Sequence, residues 1–340
     1  MKPKISVTIG IPTYNRLHYL KEAVASALAQ TYTDIEILIS QNPHHERSTR
    51  QEIAEYCESL AARYPRVRYQ LQRDNLGQTS NFNWLVDNAK GDYVFLIGDD
   101  DRLLPNAVEI LMNAFDPAVS VIFGRRYIID DKGNRLPRIV PQPNPDPSFF
   151  YGWPFTQYEV PAGRLADAEL WAWRQAMGIE TSLIRTEDFR RIRYRDDLDI
   201  PDIPFFILLA REGADFVFVP EYVTEYRFHR ASSTSAGFVY YKPLFDALAP
   251  LPVGSTIEPH KHRILEMLAF KAITKCLMAG EVREARRLIG SRYYPTARTG
   301  LKGVICKACA ALPETLGTMA FRSIYAARFG RGPAARLSRF

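Results

Sequence analysis

The most constraining stretch of this chain is Tyr93-Val94-Phe95-Leu96-Ile97-Gly98-Asp99-Asp100-Asp101. Five apolar residues, rich in β-branched and aromatic types, form a strand pattern, and three consecutive carboxylates follow at its C-terminal end. Open α/β sheets place their ligand crevice at that end of a strand. Adjacent like charges repel, and a hard cation among the oxygens relieves the repulsion. Mg²⁺ and Mn²⁺ typically take one or two protein carboxylates together with substrate phosphates. One reading is therefore a platform for a metal and a diphosphate. The other is a solvated acidic turn, with an aspartate capping a helix that begins near Pro105.

The segments upstream indicate what kind of sheet carries this strand. Residues 5–11 alternate apolar and small residues and stop at Pro12, and residues 35–39 and 67–71 are further short apolar runs. Between them lie helical patterns: 17–30, with Leu17, Leu20, Val24, Ala27 and Leu28 on one face; 49–63, with Thr49 and Glu52 at capping-box spacing; and 79–89, after the Asn75-Leu76-Gly77 turn. Strands alternating with helices in this way predict a largely parallel sheet with right-handed crossovers. No G-x-G-x-x-G follows the first strand and no G-x-x-x-x-G-K-[ST] occurs, which argues against a dinucleotide fold or a P-loop enzyme. Phosphate bound here needs a metal to neutralise most of its charge.

Downstream, the pattern predicts a helix over 105–115 and short strands at 120–123 and 126–130, beside a turn at Asp130-Asp131-Lys132-Gly133-Asn134. Residues 137–161 hold seven prolines among Phe149, Phe150, Tyr151, Trp153, Phe155 and Tyr158, a composition that continues neither sheet nor helix. A long loop of this kind is a lid or binding loop, or else disordered, and its aromatic content favours the lid. Helices follow at 169–177 and from Thr186, with an extended piece at 181–184. The acidic, proline-punctuated interval 195–204 leads into an apolar helix at 205–211, which puts Asp202 in the turn just before it. Strands at 216–219 and 223–228 end in Tyr226-Arg227-Phe228-His229.

Length and composition, 340 residues with 46% hydrophobic, allow a full core and one large or two modest domains. The division expected is 1–235 for the α/β domain and 236–340 for a basic helical region. The net charge of +6 is unevenly placed: from residue 261 onward 16 Lys and Arg face 4 Asp and Glu, while residues 1–260 are net negative. The acidic front does not suit nucleic acid, whereas the basic tail invites an anionic surface. Residues 301–339 set Leu301, Val304, Ile305, Leu312, Leu316, Met319, Phe321, Ile324, Tyr325 and Phe329 among Arg and Lys. They read either as amphipathic helices lying on an anionic membrane or as helices packed on the rest of the protein. Four cysteines make no disulfide framework, and Cys306 and Cys309, without a second pair, read as packing residues. With no run of 18 apolar residues and a strand almost at the start, the expectation is a cytoplasmic protein without signal peptide or spanning helix, peripheral on the membrane at most.

Four ordered segments resemble the family 2 nucleotide-sugar glycosyltransferases of the GT-A fold. Pro12-Thr13-Tyr14-Asn15-Arg16 looks like the family's P-x-Y-N-R segment, and Leu28-Ala29-Gln30-Thr31-Tyr32 like the end of its first helix. Asn75 and Gly77, with Asn81, are similar to its N-x-G loop, and Asp99 and Asp101 stand at D-x-D spacing. The similarity is close over 4–115 and looser over 170–235. It implies a GT-A mixed sheet flanked by helices, with a C-terminal helical extension. It also implies an inverting transfer of a sugar from a nucleoside diphosphate sugar to a hydroxyl of a glycan or lipid-linked glycan, in bacterial surface polysaccharide synthesis.

By the same resemblance, Pro12, Thr13, Tyr14, Asn15 and Arg16 line the nucleotide pocket together with Asn75, Gly77 and Asn81. Asp99 and Asp100 contact the ribose or diphosphate. Asp100 and Asp101 hold Mn²⁺ or Mg²⁺, with His229 completing the metal site or else standing as an ordinary strand-end histidine. Asp202 is the base, with Asp199 and Asp197 as neighbouring alternatives. The family's aspartate after the second strand is replaced here by Gln41 and Asn42, whose amides offer a donor and an acceptor, but no charge, to a base edge. Two other readings use the same features: a nucleotidyltransferase acting on a sugar phosphate, and a non-catalytic nucleotide-sugar binding module.

Overall fold

The computed structural model describes residues 5–137, 156–229, 241–295 and 300–329. It divides into two compact units, the first running to His229 and the second comprising the described residues from Tyr241 onward.

The first unit is built on a nine-stranded sheet. Its parallel half takes β1 (Val7–Thr13), β2 (Ile35–Gln41), β3 (Val67–Leu71) and β4 (Tyr93–Leu96) in the order β3-β2-β1-β4. The crossovers are α1 (Leu17–Leu28), α2 (Arg47–Arg63) and α3 (Gln78–Asn88). Val7, Ile9, Ile11, Ile37, Ile39 and Phe95 are fully buried, the near-continuous apolar run expected of strands covered on both faces. Beyond β4 the direction changes. After β5 (Arg102–Leu103) and α4 (Ala107–Met112) come β6 (Val119–Ile129), β7 (Gly163–Arg164), α5 (Ala168–Trp173), β8 (Ser182–Arg185), α6 (Thr186–Ile192), α7 (Asp202–Arg211) and β9 (Asp215–Arg227). β8 runs antiparallel between β4 and β6, β9 joins β6 in parallel, and β5 and β7 pair antiparallel with β9.

Several elements depart from the sequence reading. The two pairs of short strands expected at 120–130 and 216–228 are two long strands, β6 and β9, each irregular in the middle: their register shifts between Phe123 and Arg126. The α2 helix starts at Arg47, two residues before Thr49, and its first residue has no side-chain cap. Instead of closing a capping box with Glu52, the Thr49 hydroxyl donates to the Glu46 carboxylate at 3.2 Å. Asp202 lies in the first turn of α7 and not before it, because the helix runs through Pro204, tolerated where a backbone donor has no partner anyway. The two-residue strands β5 and β7 are too short to show a period. Of the expected lid at 137–161, residues 138–155 lie outside the described ones; its far end, Thr156–Tyr158, is a tight helical turn tied to Arg174 O through the Thr156 hydroxyl at 2.9 Å.

The second unit is helical: α8 (Tyr241–Leu248), α9 (Glu258–Ala279), α10 (Val282–Ile289), α11 (Gly300–Ala311) and α12 (Glu314–Phe329). Leu244, Leu248, Leu265, Leu268, Cys276, Leu277, Leu288, Cys306 and Phe321 are buried in it. Arg286 of α10 donates to Ala310 O and Leu312 O, both at 2.6 Å, and so satisfies carbonyls at the end of α11 that the helix itself leaves open. All four cysteines are buried free thiols. No described helix is long and apolar enough to cross a membrane.

Candidate active site

The C-terminal ends of β1, β2 and β4 lie side by side, since Thr13 pairs with Gln41 and Gly10 with Leu96. This register brings residues far apart in the sequence to one edge of the sheet. The Thr13 hydroxyl donates to Asp99 Oδ2 at 2.8 Å. The Arg16 guanidinium forks, with Nη2 on Asp99 Oδ1 and Nη1 on Asp100 Oδ2 at 2.6 Å. From the other end of the unit, His229 Nε2 meets the same Asp100 oxygen at 2.8 Å and lies 3.3 Å from Arg16 Nη1. Gly98 lets the acidic turn fold back on itself: a Cβ there would come within 2.5 Å of Asp100 Oδ1 and 3.1 Å of Asp101 Oδ2.

Asp101 is held differently. Its Oδ1 accepts from the backbone N–H of Arg227 at 2.9 Å. The Arg227 side chain, fully buried, braces the whole turn: Nε donates to Asp100 O at 2.7 Å, Nη1 to Asp131 O at 3.2 Å, and Nη2 pairs with Glu22 at 2.5 Å. Its guanidinium also lies over the Tyr19 ring, 4.4 Å from the centroid. Nothing in the sequence reading gave Arg227 a role, although an arginine inside an apolar strand next to a candidate ligand was a usable signal.

Burial and the charges of the neighbouring acids set the electrostatics of the turn. Burial pushes Asp99 up to about 6 against the pull of Arg16, with Asp100 adding to the rise. Asp101 lies well above the usual carboxylate range through burial and the charges of Asp100 and Glu180. Asp100 is also buried, but the His229 hydrogen bond and the Arg16 charge outweigh that and hold it low. Three carboxylates against the single guanidinium of Arg16 leave an excess of negative charge that a proton or a cation must balance. In that respect the residues fit a divalent cation. Asp100 and His229 offer the carboxylate oxygen and imidazole nitrogen that Mn²⁺ or Mg²⁺ accept, and Asp101 keeps one oxygen off Arg227. Among the described residues no group of three or more His, Cys, Asp or Glu stands ready as a complete cage. Substrate oxygens would have to complete the shell.

Behind the turn lies a second polar group that the sequence reading missed. Arg126 of β6 and Glu180, both almost fully buried, form an ion pair, and the Arg126 backbone N–H donates to Gln157 Oε1 at 2.9 Å. The Glu180 charge acts on Asp101, Asp202 and Tyr194 alike, so these groups share one neighbourhood. Asp202 keeps partial contact with solvent, and burial together with Glu180 pushes it up to about 6. Its interval is pinned to α3: Asn83 exchanges hydrogen bonds with the Tyr194 backbone at 2.8 and 3.0 Å, and the Thr79 hydroxyl donates to Leu198 O at 2.9 Å. The buried Tyr194 hydroxyl has no hydrogen-bond partner among the described residues. Asp197, by contrast, is exposed and paired with Arg195.

At the other side of the crevice three expected ligand contacts are already used inside the chain. Gln41 is fully buried; its Nε2 donates to Arg50 O at 2.9 Å and its Oε1 accepts from the Tyr69 hydroxyl at 2.5 Å. Asn42 bridges the next loop, donating to Gly77 O at 3.0 Å and accepting from the Leu76 N–H at 3.1 Å. Asn81, 1% exposed, donates to Ser40 O at 3.1 Å and accepts from the Ser40 hydroxyl, fixing α3 on β2. Gln41, Asn42 and Asn81 thus make these hydrogen bonds inside the chain. Gly77, at φ +77°, opens α3 in a conformation that side chains disfavour, and Asn75 Oδ1 accepts its N–H at 3.0 Å. Pro12, Tyr14 and Asn15 lie at and just beyond the end of β1, the first two half-buried and Asn15 exposed, and Tyr14 packs edge-on to His44 at 4.8 Å.

Comparison with known proteins places this arrangement. The chain is 35% identical over 139 residues to an uncharacterized glycosyltransferase of Rickettsia conorii, 40% of this chain and 22% of that protein. It is 30% identical over 133 residues to the GalNAc(5)-diNAcBac-PP-undecaprenol beta-1,3-glucosyltransferase of Campylobacter jejuni, 39% of this chain and 40% of that one. The similarity thus spans well under half of either relative. Among solved structures, S. aureus TarS 1–349 in complex with UDP-GlcNAc aligns with a TM-score of 0.56 at 13% identity, covering 96% of this chain and 92% of that one. Mannosyltransferase PcManGT from Pyrobaculum calidifontis, in complex with GDP-Man and Mn²⁺, aligns with the same TM-score and identity, covering 96% and 88%. At such identity these two likenesses establish the fold. Residues 8–164 match the model of Glycosyl transferase family 2, and the sheet that holds them is a mixed sheet of the GT-A type.

Proposed function

We propose that this chain moves a sugar from a nucleoside diphosphate sugar to a hydroxyl of a glycan or lipid-linked glycan, with inversion at the anomeric carbon. The observation that carries this reading is the meeting of Arg16, Asp99, Asp100 and His229 at one sheet edge, with a separate, partly solvated carboxylate, Asp202, in the same electrostatic neighbourhood. Asp100 and His229, with Asp101 beside them, would hold a divalent cation, Mn²⁺ or Mg²⁺. Such an ion supplies Lewis-acid stabilisation of the charge that builds on a departing diphosphate. Arg16 stands where it can pass from the aspartates to a phosphate oxygen. Asp202, ionised above about 6, takes the proton of the acceptor hydroxyl as that oxygen attacks. General-base help of this kind is worth ~10²–10⁴-fold. Similarity to a relative named for an undecaprenol-linked substrate supports a lipid-linked acceptor, and a neighbour crystallised with Mn²⁺ supports the cation.

Attachment to an anionic membrane surface is part of the same proposal. Leu301, Val304, Leu312, Leu316 and Met319 of the second unit are exposed, at 55%, 62%, 39%, 57% and 61%, in a region rich in Lys and Arg. Apolar side chains among basic ones are what interfacial helices present to lipid.

Incubation with Mn²⁺ or Mg²⁺ and a panel of nucleotide sugars, with and without a glycan acceptor, tests the chemistry. Release of nucleoside diphosphate is expected. Pyrophosphate released from a nucleoside triphosphate and a sugar phosphate would make the chain a nucleotidyltransferase, and donor binding with no turnover would make it a binding module.

A further inference from the structure

One buried polar group near Asp202 has no task in the transfer described so far: the Tyr194 hydroxyl. Its residue is held firmly. Asn83 of α3 takes the backbone at both ends, Nδ2 donating to Tyr194 O at 2.8 Å and Oδ1 accepting the Tyr194 N–H at 3.0 Å. Three rings pack the side chain: Phe82 edge-on at 6.2 Å, Phe189 at 5.0 Å and Phe205 edge-on at 5.2 Å. Phe205 stands three residues after Asp202 in α7, a spacing that shares a helix face, so Tyr194 lies against the face that carries the Asp202 carboxyl. Tyr194 is 4% exposed, and its oxygen makes no hydrogen bond to any described residue. A buried hydroxyl in that condition is unfavourable for the fold, and phenylalanine would fill the same ring pocket without it.

The charges that reach this hydroxyl are those of Asp202 and Glu180, and with burial they keep it protonated, well above the ordinary tyrosine range. It can therefore donate. Glu180, ahead of β8, is already paired with Arg126 of β6. The charged and titratable groups facing Asp202 are Glu180, Arg126 and Tyr194, and backbone N–H groups of the first turn of α7 also support its carboxylate. Asp202 thus shares its cation with Glu180 and stands to gain more from another donor.

We propose that Tyr194 is a positioning residue for the base: its hydroxyl donates to the Asp202 carboxylate once that group is ionised, and fixes which oxygen faces the acceptor. This inference rests on the nucleotide-sugar reading above, with Asp202 as its base, and deepens it. The tyrosine keeps its proton throughout. Catalytic hydrogen bonds are often long in the unliganded protein and close with substrate in place. A donor to the ionised form also makes ionisation easier, so Tyr194 offsets part of the rise that burial and Glu180 impose on Asp202.

Tyr194→Phe keeps the ring and removes the donor, so the variant should fold. With Mn²⁺, a glycan acceptor and a panel of UDP-, GDP- and dTDP-linked sugars, the acid limb of kcat should move about one unit alkaline, the shift one charge-assisted hydrogen bond gives. The value at pH 6 should fall about fivefold, with donor KM nearly unchanged. A second arm needs no turnover. In urea titrations Tyr194→Phe should lose stability more steeply than wild type from about pH 6 to about pH 7, because the folded carboxyl keeps its proton to a higher pH. On an Asp202→Asn background the same substitution should leave that slope unaltered. Coincident kcat limbs in wild type and folded Tyr194→Phe would overturn the inference, as would equal slopes in urea; release of nucleoside diphosphate by the wild type leaves the transfer reading standing in both cases. No release by the wild type from any donor would sink the transfer reading, and the urea arm would still decide whether Tyr194 meets Asp202.

Discussion

Asp202, the proposed base, is unfavourable for the fold at neutral pH. Its carboxyl is raised from the ordinary 3.8 to about 6 by burial and by Glu180, so the folded chain holds a proton that the unfolded chain has released over that interval. Stability from this group is therefore present below about pH 4 and is lost as the pH rises through about 6. Asp202→Asn should raise stability at pH 7, on the order of 1–3 kcal/mol in urea titration. The same substitution should lower kcat by ~10²–10⁴ while leaving donor affinity nearly intact. Wild-type kcat should fall about tenfold per pH unit below about 6, a limb that rests on the proton Asp202 must give up. Wild-type turnover in Asp202→Asn would remove it from the mechanism.

The other decisive residue is Arg227, whose buried fork satisfies three backbone carbonyls and one carboxylate. Arg227→Leu leaves those carbonyls unpaired and should destabilise by about 3 kcal/mol or more, seen as a lower urea midpoint at unchanged m-value. The acidic turn was legible in the sequence because an apolar strand run delivers Asp99, Asp100 and Asp101 to a sheet edge, whereas Thr13 and Arg16 were legible only through the family resemblance. The roles of Gln41, Asn42 and Arg126 were not legible. Their partners, among them Tyr69, Leu76 and Glu180, lie 28, 34 and 54 residues away, and no local pattern records such a pairing.

At the scale of elements, the parallel half of the sheet followed from the alternation of apolar runs and amphipathic helices. The mixed half did not. β6 and β9 were each read as two short strands, with Gly124 and the exposed Pro220-Glu221 falling in the gaps. In the folded unit they are only places where the register shifts and the ladder resumes. Cross-strand pairing over nearly a hundred residues supplied what local propensity lacked. The exposed apolar side chains of α11 and α12 lead to a prediction about surface and not about core. Leu316→Glu with Met319→Glu should reduce co-sedimentation with phosphatidylglycerol-containing vesicles severalfold while leaving the thermal midpoint unchanged, since both side chains are already more than half exposed. Unaltered vesicle binding by the double variant would count against membrane attachment through this face.

At the scale of the whole molecule, the chemistry-bearing residues run from Thr13 to His229 and so fall within the first unit, while the exposed apolar helices fall in the second. The family model stops at residue 164, yet the fork at Asp100 is completed by His229 and the turn by Arg227. Similarity over the first half of the chain therefore covers only part of the site. The second unit carries no motif of its own, and its helices were legible only as periodicity and charge.

The distance along the chain between the two ends of the site has a kinetic consequence. Arg16 and His229 meet across 213 residues, so the acidic turn is among the last things the chain can complete. During synthesis the β3-β2-β1-β4 half can form first, with its aspartates still lacking the late strand that braces them. Ligand affinity should then be a late event in refolding. After dilution from urea, far-UV circular dichroism should recover ahead of the capacity to bind a fluorescent nucleoside diphosphate, and Arg227→Leu should widen that interval. Simultaneous recovery of the two signals would mean that both halves of the sheet condense together.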